Sequence, residues 1–534
     1  MVAVLDAAEA AEPRPGRAAR GAAGRGRRWL GIARDLGLAA LGGLLLDLSL
    51  PGTAWWPLAF PAVAAMLYAL RGGGIWRAGL MGLLSGAVFW GLQISWLTLY
   101  LGPIPWAAAA ILMALWMGVV GALIELARRG LGAFSSAPWM RLGVVPAVVA
   151  GLWVTREAVS ALWPYGGFSW GRVAMTQSES LFTDVVAWVG FNGLSFLLVW
   201  VIALAIELFA ARRLPARALA LRAAALAAVL AVLALVPGFP SATTGSVRVG
   251  AVQGDGPAAI FDVRDPGDVL ESQVEATIGL LGEELDVVVW PEGAADLNPA
   301  LDEAAAAQFD ALSRAFDAPI VSGTVGRDGD EFFNSSIVWE AGEGVVGQYD
   351  KIHLVPFAEY MPNREFFHAI VPDLVDLVQL SYSFGERPNV VGVAGVPAGV
   401  MICFDITDDV LADRLIGDGA QLILAQTNNA DFGETDETFQ QLAITRLRAV
   451  ETGRSIVNVS TVGVTEVIGP DGRTIAELPP FEPGALAADV PLTTTTTPAM
   501  AAGSAITAGV VVIGLGGLAA GIAGAFAARR RPPR

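Results

Sequence analysis

Three short segments carry side chains able to do nucleophilic chemistry, and each lies at or just beyond the end of an apolar run that reads as a strand. Val287-Val288-Val289-Trp290-Pro291-Glu292 ends in a carboxylate. A carboxyl at the end of a buried strand is partly desolvated, which raises its pKa toward that of a useful base. Tyr349-Asp350-Lys351-Ile352-His353-Leu354-Val355-Pro356-Phe357-Ala358-Glu359-Tyr360 sets an ammonium among acids. Such a cation stabilises an oxyanion or holds a neighbouring carboxylate ionised. Gly399-Val400-Met401-Ile402-Cys403-Phe404-Asp405 presents a thiol directly after a strand. A free thiol titrates near ~8.5, so as a nucleophile it needs a basic or positive neighbour. Each segment also has a plain structural alternative: a turn-initiating acid, a solvated lysine, and a buried cysteine acting as a small apolar residue.

Composition sharpens two of the three. Lys351 is the single lysine beside 33 arginines, so it marks a position where guanidinium chemistry does not substitute for an ammonium. Cys403 is the only cysteine, which excludes an internal disulfide. The two histidines, His353 and His368, form no cluster with metal-ligand spacing, so neither a metal nor a cofactor is expected.

The chain that positions these segments is divided by charge. Residues 1–240 balance at +8, residues 241–499 at −29, and the last 35 residues add four arginines. The acidic part offers phosphate no positive footprint, so nucleic acid is not an expected partner. Apolar runs long enough to cross a bilayer, which takes roughly 20 residues, fall near 30–50, 53–70, 76–100, 104–127, 142–163, 184–210, 218–237 and 500–527. Tryptophans 55, 56, 90, 96, 106, 163 and 200 lie mostly near span ends, as an interfacial belt does. With the N-terminal arginines cytoplasmic, the loops bearing Arg71 and Arg77, Arg128, Arg129 and Arg141, and Arg212, Arg213 and Arg217 all return to that side. The acidic part then falls outside the cytoplasm.

The expected organisation is therefore a disordered basic tail (1–28), a membrane domain of about seven helices (29–240), an extracytoplasmic α/β domain (241–492), a Thr-rich linker (493–499), a last spanning helix (500–528) and a basic cytoplasmic tail (529–534). Within the α/β part, strands are predicted at Val247–Val252, Val287–Trp290, Pro319–Ser322, Ser336–Trp339, Val345–Tyr349, Gly399–Cys403, Leu422–Ala425, Ile456–Val459 and Val464–Ile468. Helical spacing covers 267–284, 300–316 and 434–452. The apolar segment Phe366–Leu380 reads either as an arm or lid reaching the membrane interface or as an amphipathic core helix.

Glu, Lys and Cys in that order at separate strand ends resemble the triad of the nitrilase superfamily, whose domain is an αββα sandwich. Set between seven upstream spans and one downstream span, the segments resemble the apolipoprotein N-acyltransferase family. The resemblance extends to Trp163–Trp170, Gly190–Gly193, Thr427–Ala430 and Arg446–Glu451. It implies a polytopic α-helical membrane domain plus that sandwich, in a bacterial plasma membrane, acting as a monomer. It implies acyl transfer from a phospholipid donor, through a Cys403 thioester, to the α-amine of a diacylglyceryl lipoprotein acceptor. Glu292 would be the base and Lys351 the oxyanion partner, with Glu359 and Asp405 supporting. Tyr360, Phe404, Asn428 and Arg446 are its candidates for gripping substrate, a helix-surface arginine being the alternative for Arg446. Three departures bear on that grip: Cys403-Phe404-Asp405 stands where relatives commonly have Cys-Tyr-Glu, Asp431 where many have Trp, and no Trp occurs from 241 to 289. Two other readings remain: a membrane-tethered amidase or nitrilase using the same triad, and a transporter or receptor with an inactive sensor domain, for which only Arg156 and Glu157 suggest a polar pathway.

Overall fold

The computed structural model describes residues 17–210 and 215–529. The first part of the basic tail (1–16), Arg212, Arg213 and the arginines after 529 lie outside the described residues.

The membrane part comprises α1 (Arg17–Leu48), α2 (Ala59–Ala69), α3 (Ile75–Gln93), α4 (Leu97–Leu101), α5 (Pro103–Phe134), α6 (Val145–Ser160), α7 (Val186–Phe209) and α8 (Ala216–Ala234). Seven helices among the described residues are long and apolar enough to cross a membrane, counting the C-terminal one. The span expected at 53–70 is shorter, an apolar helix over Trp56–Ala69. It nevertheless joins the two ends of the bundle. Gly52 before it abuts Asp436 of the α/β domain, while Arg71 after it pairs with Glu207 at 2.7 Å, and Arg141 reaches the same Glu207 at 3.5 Å. Arg77 pairs with Asp35, and Arg128 and Arg129 with Glu125, also at that far end. Among the described residues, Arg71, Arg77, Arg128, Arg129 and Arg141 thus gather at one end of the bundle and the α/β domain sits on the other.

Several expectations shift in detail. The segment 17–28, expected to be disordered, is the start of α1. Its Ala and Arg residues favour helix, and the adjoining span has already met the cost of nucleation. The run 76–100 breaks after Gln93 and resumes as α4, and Trp90 and Trp96 are buried instead of facing lipid. Arg156 and Glu157 pair at 3.1 Å and are buried. Glu157 also accepts from Trp153 Nε1 and from the Val173 backbone, so the pair ties one loop to α6 and opens no path. The C-terminal helix α15 (Pro498–Arg529) packs through glycines: a Cβ on Gly151 would lie 2.6 Å from Gly514 N. Small residues permit that approach where no hydrophobic effect drives helices together.

The α/β domain holds two six-stranded sheets. The first runs β12-β1-β2-β3-β4-β5, from β1 (Thr243–Gln253), β2 (Val287–Val289), β3 (Ile320–Asp328), β4 (Glu331–Glu340), β5 (Gly344–Asp350) and β12 (Gly484–Thr493). The second runs β11-β10-β9-β8-β7-β6, from β6 (Val390–Val393), β7 (Val396–Ile402), β8 (Leu422–Thr427), β9 (Ser455–Ser460), β10 (Glu466–Ile468) and β11 (Thr474–Glu477). Alternate residues such as Val249, Ala251, Val289, Val400, Ile402, Leu424 and Val457 interdigitate between the sheets. The other face of the first sheet carries α9 (Asp268–Thr277) and α10 (Glu303–Phe316). The other face of the second carries α13 (Asp409–Gly417) and α14 (Glu437–Thr452), and its core is continuous with that of the membrane helices. The domain is the four-layer αββα sandwich.

The sequence missed β6, β11 and β12. The last is Ala-rich and contains Pro491, tolerated because β12 is an edge strand. The Thr-rich stretch is no loose linker. Thr493 ends β12, and the buried Thr493 and Thr497 hydroxyls donate to Gly453 O and Glu451 O. Phe366–Leu380 forms two short helices, α11 (Arg364–His368) and α12 (Pro372–Val375). Val375 and Val378 are buried, while Phe366 and Ile370 are each 62% exposed. The segment is thus two short helices with its apolar side chains divided between core and exterior, and no single helix spans it.

Candidate active site

Glu292 follows β2 and is held from behind by backbone contact. Gly323 N donates to Pro291 O at 3.0 Å, and a Cβ on Gly323 would lie 2.6 Å from Glu292 Cα. The second sheet reaches across to the same turn. Gln426 Nε2 donates to Trp290 O at 2.6 Å and Thr461 Oγ1 to Glu292 O at 2.7 Å. Lys351 follows β5, its N–H donating to Asn334 O at 2.8 Å.

The side chains converge. Lys351 Nζ lies 3.5 Å from Glu292 Oε1 and 2.9 Å from Glu359 Oε2, and Lys351 is 1% exposed. Asn334 Nδ2 donates to both carboxylates, at 2.7 Å to Glu292 and 2.6 Å to Glu359. Glu359 Oε2 also accepts from Val355 N at 2.7 Å, which fixes it as the back wall of the cluster. Two carboxylates thus share one ammonium. Burial pushes the Glu292 carboxyl up; Lys351 opposes this, Glu359 adds to it, and the net direction is upward. Burial works to lower the Lys351 ammonium, but Glu359 and Glu292 overturn that and hold it well above its usual value.

Cys403 closes β7 with φ 50°, a left-handed conformation unusual for a residue with a Cβ. Such turns at strand ends are a recurring way to present a nucleophile. Asp405 pins the turn. Its carboxylate accepts from Tyr349 OH at 2.8 Å, Ile402 N at 3.0 Å and His353 N at 3.1 Å. The thiol is pushed well above its usual value, first by burial and then by Glu292, with Lys351 opposing. It therefore rests protonated and needs a base, and Glu292, whose own affinity for a proton is raised, is within electrostatic reach.

The substrate-gripping candidates fare differently. Tyr360 is half-buried against Phe384 at 5.0 Å, its hydroxyl 3.4 Å from Tyr165 O in the membrane part. Phe404 stacks on Phe168 and Trp170 at 6.0 and 6.4 Å, so it is buried against the segment between α6 and α7 of the membrane part. Asn428 Nδ2 donates to Ala258 O, holding the loop after β1. Arg446 is spent on Gly472 O at 2.6 Å and Glu466 at 2.7 Å, at the β10–β11 turn away from the triad. Asp431 accepts from Ile260 N at 2.7 Å, a use of that position no tryptophan could make.

Two contributors, Asn334 and Gln441, escaped the sequence, and Arg448 lies in the Arg446–Glu451 stretch that it singled out. Asn334 sits mid-strand with no spacing signal. Gln441 of α14 places Nε2 3.6 Å from Cys403 Sγ. Arg448, buried, joins Glu451 and Asp409, and Asp409 pairs with Arg172 of the membrane part at 2.8 Å. Glu451 in turn accepts from Phe191 N, freed where α7 breaks at Gly190 (φ 70°). Gly190–Gly193 and Arg446–Glu451, two of the conspicuous sequence stretches, thus meet across the domain boundary.

Known proteins were compared with this chain. A family model described as carbon-nitrogen hydrolase matches residues 248–498, and one described as apolipoprotein N-acyltransferase N-terminal domain matches residues 42–204. The apolipoprotein N-acyltransferase of Mycolicibacterium smegmatis is 33% identical over 92% of this chain and 85% of its own length. That of Shewanella oneidensis is 28% identical over 75% and 79%, and that of Geobacter metallireducens 27% over 86% and 90%. Among solved structures, an amidase from Nesterenkonia sp. aligns with TM-score 0.36 and 20% identity, covering 48% of this chain and 94% of that one.

Proposed function

The chain belongs to the apolipoprotein N-acyltransferase family, and from that premise we propose that Cys403 carries an acyl chain from a membrane phospholipid to the α-amine of a lipoprotein's S-diacylglyceryl cysteine. Glu292 takes the thiol proton as sulfur attacks the phospholipid ester, and the lysophospholipid leaves with that proton. In the second half, the acceptor amine attacks the thioester carbonyl. The N–C bond forms, the C–S bond breaks with its electrons going to sulfur, and Glu292 collects the amine proton. The Lys351 ammonium faces the tetrahedral oxygen in both halves, which is where pre-set charge acts most strongly. Glu359 and Asn334 hold Lys351 and Glu292 in register.

The observation that carries this reading is the seating of the Cys403 turn on the membrane part through Phe404, which stacks on Phe168 and Trp170 of the segment between α6 and α7, itself packed on Trp90 of α3. A nucleophile fixed there works on substrates that stay anchored in the bilayer, whereas a small soluble amide needs no such seat. Arg71, Arg128 and Arg141 gather at the opposite end of the bundle, which supports an extracytoplasmic catalytic domain in a bacterial plasma membrane. The triad and its membrane seat come from one chain, which supports action as a monomer. Mass spectrometry of a lipoprotein N-terminus from cells relying on this chain tests the reading. One additional acyl mass is expected with the wild type and none with Cys403→Ala; equal masses in the two would overturn it.

A further inference from the structure

Glu437 is a buried acid that the mechanism above does not use, 3% exposed at the first turn of α14. Its Oε2 accepts from Asn429 Nδ2 at 2.6 Å. The same Nδ2 donates to Gln441 Oε1 at 2.9 Å. Asn429 Oδ1 is met instead by the hydroxyls of Ser460 at 2.8 Å and Thr427 at 3.1 Å. These contacts form a polarity relay. An acceptor at Glu437 requires the Asn429 amino group on its side, and that group requires Gln441 to turn its oxygen inward. The Gln441 amino group then faces Cys403 Sγ, 3.6 Å away.

We propose that Gln441 is a further catalytic residue, whose amide N–H donates to the Cys403 sulfur and stabilises it as a thiolate, and that Asn429 and Glu437 are positioning residues that fix the direction of that donor. The inference rests on Cys403 being the nucleophile. Its largest consequence falls in the second half-reaction, where the thioester C–S bond breaks and sulfur departs with the electron pair. Lys351 is committed to two carboxylates. A neutral donor on the other side of the sulfur serves the leaving group without competing for them. Burial pushes the Glu437 carboxyl up to about 8. Below that value the neutral acid accepts from Asn429 through its carbonyl oxygen and above it the carboxylate does so, while Ser460 and Thr427 occupy Asn429 Oδ1 in both states. The charged or titratable groups facing the thiol are Glu292 beyond β2, Lys351 and Glu359 beyond β5, and Glu437 on α14.

Because Cys403 is the only thiol in the chain, alkylation by iodoacetamide reads this site alone. The full-length protein in detergent is alkylated across a pH series, and the midpoint of the rate profile reports the thiol–thiolate balance. Loss of a hydrogen bond to a charged sulfur reduces thiolate stability by about tenfold or more, which moves the midpoint up by about one pH unit. Gln441→Leu is expected to show that shift with the melting temperature little changed. Gln441→Glu keeps the shape but presents a carboxylate, and is expected to shift further. The Glu437 charge itself also raises the thiol, so Glu437→Leu is compared with Glu437→Gln, which removes the charge alike but still offers Asn429 an acceptor; the leucine variant is expected to titrate higher than the glutamine one, and equal midpoints would overturn the positioning role. A wild-type midpoint in folded Gln441→Leu or in Gln441→Glu would overturn the proposal. The assay needs no lipid, so its failure is separate from a failure of acyl transfer by the wild type.

Discussion

Replacing Lys351 by Met removes one positive charge from between two carboxylates and tests the electrostatic core of the site. The ammonium is 1% exposed and lies 3.5 Å from Glu292 and 2.9 Å from Glu359. At an effective dielectric of about 20 an ion pair at that separation is worth on the order of 3–5 kcal/mol, and stripping one partner from a buried pair costs a similar amount. Without Lys351, which opposes the effect of burial, the Glu292 carboxyl moves further up. Glu292 in the variant holds a proton more tightly than in the wild type, with Asn334 still bridging the two acids. The ionised base falls by roughly 100-fold or more, and loss of the oxyanion partner removes about another 100- to 1,000-fold. Lys351→Arg keeps the charge but overfills a closed slot, so it too is expected to lose at least about 100-fold. The assay is the rate at which Cys403 gains an acyl mass from phospholipid, beside a melting curve that shows the variant folded. A folded Lys351→Met or Lys351→Arg within tenfold of wild type would refute the reasoning.

Other consequences are as specific. Glu437 has its folded pKa raised from 4.5 to about 8, so its stabilising effect is full below about 4.5 and is lost as pH rises through about 8. Glu437→Gln should flatten the melting temperature across that window and gain up to a few kcal/mol at its alkaline end; an unchanged slope would count against the burial argument. Gly323→Ala would place a Cβ 2.5 Å from Pro291 O and 2.6 Å from Glu292 Cα. About 1–3 kcal/mol of stability and on the order of 100-fold in acyl-enzyme formation should be lost as the base is displaced, with full activity sinking the claim. Arg448→Met would leave Glu451 and Asp409 with one buried partner fewer, for about 3–5 kcal/mol measured by thermal unfolding. A melting temperature equal to wild type would show the clamp to be idle.

The sequence displays the residues that end strands and hides the ones that sit between them. Glu292, Lys351 and Cys403 were legible because apolar runs stop at them and because one lysine stands among 33 arginines. Asn334 and Gln441 are ordinary polar residues inside a strand and a helix, and only the folding of β4 against β5 and of α14 over β7 gives them partners. Phe404 and Arg446 were legible as neighbours of the chemistry but not by their direction. A stacked aromatic turns toward the membrane, and a guanidinium spans to the β10–β11 turn. All but one of the expected spans followed from hydropathy, the run at 53–70 being a shorter helix. The helical start of α1 at Arg17 and the buried threonines before α15 depend on neighbours that no local composition names.

The central claim is that Cys403 holds the acyl group between a lipid donor and an amine acceptor. Intact-mass measurement on the purified full-length chain, given a phospholipid with a labelled acyl chain and then a diacylglyceryl peptide with a free α-amine, tests it most directly. The account predicts one hydroxylamine-labile acyl mass on Cys403 before the peptide is added. After addition, that mass should be lost from the protein and gained by the peptide as an amide, with neither event in Cys403→Ala. Labelled peptide formed by Cys403→Ala, or a label released only as free fatty acid while the peptide stays unmodified, would contradict it.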